Sequence, residues 1–291
     1  MAENKNKSAD VKEETKVEEK QPTAEEFISE FFDEIPEKEP IFVAIAAPAG
    51  YGKTHFANTF PNPVIADTEG RAHGVMKKFT GKRYRKVAKN METIRQTIST
   101  MVQYMFTEPA QRNNATFVLD STSDFQQMAE SEYLKESKKE KVYPLMLWAK
   151  VYDKMDMVFD NLRKFGFNAV FTQQLKQEYE GETATGNWIP AGYKKLPYRV
   201  DIHLLLQKGI EYEGNIYYPD VVVGKVLKDW WHKPEETKPY LIDVSYDGIY
   251  KELKPYKHPG TEKAAIELIL KELEKKTGIP INKAKLTDKE A

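Results

Sequence analysis

"APAGYGKTHFANTFPNPVIADTEGRA", residues 47–72, decides how the rest of the chain is read. Its first eight residues match G-x-x-x-x-G-K-[ST], except that Ala47 stands at the first glycine position. An apolar run precedes the motif and a helix opens after it, which is the context a phosphate loop requires. Backbone amides around Gly50 and Gly52 at a helix N-terminus bind phosphate oxygens, so Pro48, Ala49, Gly50, Tyr51, Gly52, Lys53, Thr54 and His55 form the expected cradle. Lys53 neutralises the β and γ phosphates, and the Thr54 hydroxyl is a ligand for Mg2+. An alanine at position 47 implies a negative φ there. ATP and Mg2+ are the expected cofactors.

Three further segments supply what hydrolysis needs. "TFVLDST" (116–122) is an apolar strand ending in Asp120, whose carboxylate would hold the Mg2+ water shell. "PVIADTEG" (63–70) places Asp67 and Glu69 after a strand, Glu69 only 16 residues beyond Lys53. By residue type either is the base that activates water, and either is structural. "FTQQLKQ" (171–177) puts Gln174 at the C-terminal end of a strand, where the γ-phosphate lies in an open α/β sheet.

The bulk properties narrow the class. With 291 residues, 31% charged and 40% apolar, the chain suits a globular protein with charged tails. It has no cysteine and five scattered histidines, which excludes disulfide and thiolate sites and argues against a zinc site. No apolar run reaches membrane-spanning length and the N-terminus is polar, so an intracellular location is expected, with no membrane partner. Residues 1–40 carry 13 acidic and 6 basic side chains, while 41–291 carry 32 acidic and 38 basic ones. A basic body behind an acidic arm is compatible with a polyanionic partner.

Residues 1–22 hold too little apolar surface to order themselves and read as a disordered acidic arm. Residues 23–36 read as a short amphipathic helix or linker, with Thr23 and Glu26 at capping-box spacing and Phe27/Phe31 and Ile28/Phe32 on one face. It packs on its own domain or docks on a neighbour. An ATPase domain over 37–260 and a C-terminal helix and tail over 261–291 complete the expected organisation. Strands are expected at 41–47, 63–67, 116–120, 169–173, 201–207 and 240–246, in nearly continuous apolar runs covered on both faces. Helical stripes follow at Ile94, Ile98, Met101, Val102 and Met105, and at Trp148, Val151, Met155, Phe159, Leu162 and Phe165. A hairpin over 210–218 is expected to turn at Gly214–Asn215, and a helix over about 261–276 to end near Gly278. The fold class is α/β, with a mainly parallel central sheet flanked by helices and a C-terminal hairpin and helix extension.

The phosphate loop, "DTEG", "VLDS" and the strand-terminal glutamine, in that order, resemble the core of the RecA/RadA recombinase superfamily. The abrupt step from the loop to "FPNPVIADTEG", and "GYKKLPYRVDIHLLL" (192–206), resemble its compact members from phages and archaeal viruses, some of which anneal single strands. The likeness spans about 41–230, with Ala47 for glycine and Gln173 for asparagine as departures. It implies Glu69 as the catalytic base, Asp120 as the magnesium carboxylate, and Gln174 as the group coupling the γ-phosphate to a DNA-binding loop.

Two segments are candidates for nucleic acid. Residues 175–199 follow Gln174 and offer Trp188, Tyr193, Lys194, Lys195 and Arg199, alongside Glu178, Glu180 and Glu182. Residues 70–90 carry eight Lys/Arg and no acid, with Lys77, Lys78, Lys82, Arg83, Arg85 and Lys86 as a phosphate-contacting patch. Lys225 and Lys228 are candidates to act in trans on a neighbour's active site in a homo-oligomer, ring or filament. The expected activity is a Mg-dependent ATPase acting on single-stranded DNA in recombination, annealing or repair. The rivals are an ATPase switch driving protein assembly without DNA, and a small-molecule kinase, for which no basic lid is visible.

Overall fold

The computed structural model describes residues 39–107, 115–138 and 148–287, of which all but Glu39 belong to the unit Pro40–Ala291. The expected arm 1–22 and amphipathic segment 23–36 lie outside the described residues. The apolar runs become β1 (Phe42–Ala46), β2 (Pro63–Asp67), β4 (Thr116–Asp120), β5 (Asn168–Gln173) and the first part of β8 (Ile202–Tyr212). With β3 (Tyr84–Val87) they form a parallel array in the order β8-β1-β5-β4-β2-β3. The antiparallel strands β9 (Asn215–Asp229), β10 (Tyr240–Leu241) and β11 (Lys285–Thr287) extend it beyond β8. β1, β4 and β5 are buried along their whole length because helices cover both faces. Successive residues of β1 serve opposite cores, Phe42 and Ala44 one, Val43 and Ile45 the other.

The strand order positions the site. β5 lies between β1 and β4, so its C-terminal residues emerge between the phosphate loop and Asp120. The helix after the loop, α1 (Lys53–Ala57), is five residues long. Asn58 ends it, its amide donating to the Thr54 carbonyl at 2.7 Å, and Pro61 and Pro63 prevent continuation. α2 (His73–Met76) follows β2. α3 (Met91–Thr107), α4 (Thr122–Ser137) and α5 (Trp148–Lys164) cover one sheet face.

The stripes fall where periodicity places them. Ile94, Ile98 and Met101 of α3, and Val151, Met155, Phe159 and Leu162 of α5, are buried together. The Met105 side chain lies outside the described residues. Phe165 departs from expectation: it falls past the end of α5 and is 38% exposed. The C-terminal helix, α7 (Glu262–Thr277), starts at an N-cap where Thr261 accepts from the Ala264 amide, and stops at left-handed Gly278. The four-residue α6 (Leu196–Arg199) precedes β8.

Two expected elements change. The 210–218 hairpin is the tip of a longer one joining β8 to β9, and its turn residues are Glu213 and Gly214, at φ 49 and 70. Two consecutive left-handed residues give the turn that matches strand twist, which shifts it one position from Gly214–Asn215. The strand expected over 240–246 shrinks to β10, because the Ser245 hydroxyl accepts from the Gly248 amide and starts helical turns instead.

Candidate nucleotide site

Gly50 and Gly52 adopt φ 84 and 93, which side-chain-bearing residues rarely take up, and turn the chain from β1 into α1. Ala47 is fully buried and is not in the left-handed region, as an alanine there requires. The Lys53 ammonium folds back over the loop, donating to the Ala47 carbonyl at 2.8 Å and the Pro48 carbonyl at 3.1 Å. Burial lowers its pKa, while the Asp120 and Glu69 carboxylates oppose that. A lysine held over an amide-lined concavity is the arrangement that receives polyphosphate.

Asp120 ends β4 beside the loop. The Thr54 hydroxyl donates to one of its oxygens at 2.7 Å and the Thr172 hydroxyl to the other at 2.5 Å. Desolvation pushes the Asp120 carboxyl up and the two hydroxyls pull it down, with an upward net shift. Thr54 and Asp120 thus share one corner. Among the described residues no three His, Asp or Glu form a metal cluster. This donor set fits Mg2+, which takes few protein ligands and completes its shell with phosphate and water.

The two acids after β2 have separate surroundings. Asp67 is 1% exposed and its carboxylate accepts from the amides of Gly70, Arg71 and Ala72 at 2.6, 3.3 and 3.0 Å. Arg85 Nε donates to the same carboxylate at 2.6 Å. Four donors leave it no lone pair facing the loop. Glu69 stands in the cleft, and its Oε1 accepts from Gln174 Nε2 at 2.8 Å. Thr68, between them, joins β2 to β4: its amide donates to the Asp120 carbonyl at 2.7 Å and its hydroxyl to Asp124 at 2.8 Å.

Gln174 immediately precedes a separate two-stranded hairpin, β6 (Leu175–Glu180) and β7 (Thr183–Pro190), which is largely exposed. Trp188 of β7 is 60% exposed and lines the same cleft of about 1630 Å3 as the phosphate loop, Glu69 and Lys78. Sequence reading did not single out Arg71, Gln207 and Lys208, which also line this cleft. Arg71 sits within the basic run and Gln207–Lys208 follow the apolar part of β8, so their positions were signalled, but not which way they face.

The expected nucleic-acid residues divide. Lys77, Lys78, Lys82, Lys86 and Lys194 are exposed. Arg85 is held by Asp67 and the Gly70 carbonyl, and Arg83 reaches the Asn58 carbonyl at 3.1 Å and lies 4.9 Å from the Phe79 ring. Arg199 pairs with Asp156 and Asp160, Lys195 lies 3.7 Å from Asp156, and Tyr193 is buried with its hydroxyl donating to Asp156. These groups anchor α6 to α5, so Tyr193, Lys195 and Arg199, expected as stacking and phosphate-pairing groups, have partners within the chain. Lys228 donates to the carbonyls of Pro197 and Val200 at 2.9 and 2.6 Å, at the end of the sheet away from the phosphate loop. Lys225 is half-buried on β9, in register with Leu205 of the cleft wall.

A phosphate loop, a strand-terminal aspartate across one intervening strand, and a glutamate facing a glutamine at a strand end define a P-loop nucleotide site on a mainly parallel sheet. Residues 39–217, well over half of the chain, match the AAA domain family, and the chain belongs to it. It is a nucleotide-binding ATPase protein. No curated protein matches. Among solved structures, the crystal structure of the RadB recombinase is similar at 16% identity, over 66% of this chain and 82% of that one, with a TM-score of 0.36. No helix among the described residues is long and apolar enough to cross a membrane.

Proposed function

We propose that the protein hydrolyses ATP with Mg2+ and works on single-stranded DNA in recombination, annealing or repair, as a homo-oligomer. The observation that carries this reading is the 2.8 Å bond from Gln174 to Glu69, made by the residue that roots the exposed β6–β7 hairpin. A γ-phosphate beside Lys53 competes for the Gln174 amide. Its arrival frees Glu69 to take a proton from water as the water oxygen bonds to the γ-phosphorus and the β,γ-bridging oxygen leaves with ADP. The same event re-aims Gln174, and with it the hairpin that carries Trp188. Mg2+, held by Thr54 and Asp120, would neutralise charge developing on the phosphate oxygens.

One observation favours the second reading, an ATPase switch that drives protein assembly. The hairpin carries Glu178, Glu180 and Glu182, and Glu178 accepts from Asn187 and Thr185. Acids at that position disfavour a polyanion and suit a basic protein surface.

The test is ATP turnover with and without single-stranded DNA at low and high salt. DNA is expected to bind and change turnover, more strongly at low salt. Glu69→Gln is expected to bind ATP as wild type does and to lose about two orders of magnitude or more in turnover. DNA without effect on wild type sinks the DNA reading, and undiminished turnover in Glu69→Gln removes it as the base.

A further inference from the structure

The parallel array ends at β3, and a second cavity of about 400 Å3 opens between this edge strand and α3. It shares no residue with the nucleotide cleft. Among the described residues its lining holds three cations, Lys82, Arg85 and Lys86, and no carboxylate. Arg85 is committed to Asp67, but among the described residues Lys82 and Lys86 have no hydrogen-bond or ion-pair partner, and both are exposed. Tyr84 and Tyr104 line it, 46% and 39% exposed, with ring centroids 6.4 Å apart and planes at 59°. Tyr84 and Lys86 are two apart on β3 and therefore point to one side of it. Val64, Met101 and Ala115 give the cavity an apolar lining, and Gln96 and Thr97 of α3 supply polar atoms.

Exposed cations with no partner among the described residues select a polyanion, the exposed ring of Tyr84 selects a flat ring, and polar atoms above an apolar lining can meet a base edge. We infer that this pocket is a contact site for single-stranded nucleic acid, taking one unstacked base against Tyr84 while Lys82 and Lys86 hold the flanking phosphates. The inference rests on the nucleic-acid reading above and gives it a location on the sheet edge, apart from the hairpin. Within the basic run 70–90, Arg83 and Arg85 turn inward to hold the fold while these two lysines remain outside.

The experiment uses the full chain and a fluorescein-labelled oligothymidylate, with binding read by anisotropy across a salt series. Tyr84→Ala is expected to weaken binding about tenfold, and Tyr84→Phe to retain it, because stacking needs the ring and not the hydroxyl. Lys82→Glu with Lys86→Glu is expected to reduce the log–log salt slope by about 1.4, the value for two single-strand phosphate contacts. Photocrosslinking with an iodouracil-substituted oligonucleotide should label Tyr84 or Tyr104. ATP turnover without DNA should be unchanged in all these variants, which checks the fold.

If wild type binds and the variants bind equally, or crosslinks map only to 175–190, the pocket assignment is wrong while the DNA reading stands. If wild type binds no oligonucleotide, both fail. A glutamate-rich peptide retained through Lys82 and Lys86, with the oligonucleotide unaffected by their loss, overturns the assignment in favour of a protein partner added at the strand edge.

Discussion

Asp67 and Glu69 are the same kind of group two positions apart, and their surroundings give them different work. Asp67 is buried under three backbone amides and a guanidinium and fixes the turn that presents Glu69. Removing its carboxylate leaves those donors unmet and Arg85 without its partner. Asp67→Ala is expected to cost about 3 kcal/mol in denaturant unfolding, with Arg85→Ala showing a comparable loss and the double variant much less than their sum. Additive losses would mean the pair is not coupled. The sequence shows both acids at the end of a strand. Which one faces the cleft depends on the position of Arg85, which lies 18 residues beyond Asp67 and beside β2 only once β3 has paired with it.

At the scale of elements, the β8–β9 hairpin forms one wall of the cleft and depends on a glycine in its ladder. Gly209 has φ +71, the register shifts between Lys208 and Ile210, and a Cβ there would lie 2.6 Å from the Tyr217 carbonyl oxygen. Gly209→Ala is therefore expected to destabilise by about 2 kcal/mol or more, a fall in Tm of roughly 4–8 °C. Gly74→Ala is the matched control: it lies in α2 at an ordinary φ with nothing within 4 Å of the added atom, and should be neutral or slightly stabilising. Equal Tm shifts in calorimetry would refute the strain argument. The long hairpin also shows where pattern reading stops. Its tip is legible from Gly214, but β9 runs 15 residues with mixed polarity, and one of its partners is β11, whose paired residues lie 68 to 72 positions away in the chain. α4 is equally hard to read, since Phe125, Ala129 and Tyr133 are a narrow buried stripe among polar residues.

Across the whole molecule, a buried polar chain ties the sheet to the hairpin root. His203 on β8 lies 3.1 Å from the Gln173 side-chain oxygen, and the Gln173 amide donates to the Ala191 carbonyl where the hairpin ends. Burial, with Lys228 nearby, pushes the His203 pKa down to about 4. An unfolded histidine titrates near 6.5, so between these values the unfolded chain binds more protons than the folded one. Stability is then full above about pH 6.5 and falls as pH drops towards 4, by at most roughly 3 kcal/mol from this group. Urea unfolding across that range should show the slope in wild type and lose it in His203→Gln. Parallel profiles in the two proteins would place the pH dependence elsewhere.

The sequence by itself determined the phosphate loop, the parallel sheet and the strand ends that meet it, because these depend on local pattern: apolar runs of strand length, glycines where φ must be positive, and prolines that stop α1 after five residues. Glu69 and Gln174 were legible as candidates for the same reason. Tertiary structure alone decided which charges are free. Arg83, Arg85, Arg199 and Lys228 turned inward to carbonyls and carboxylates far along the chain, while Lys78, Lys82 and Lys86 stayed exposed. A side chain's charge is written in the sequence. Whether that charge meets solvent or a partner depends on what the fold brings within hydrogen-bond distance.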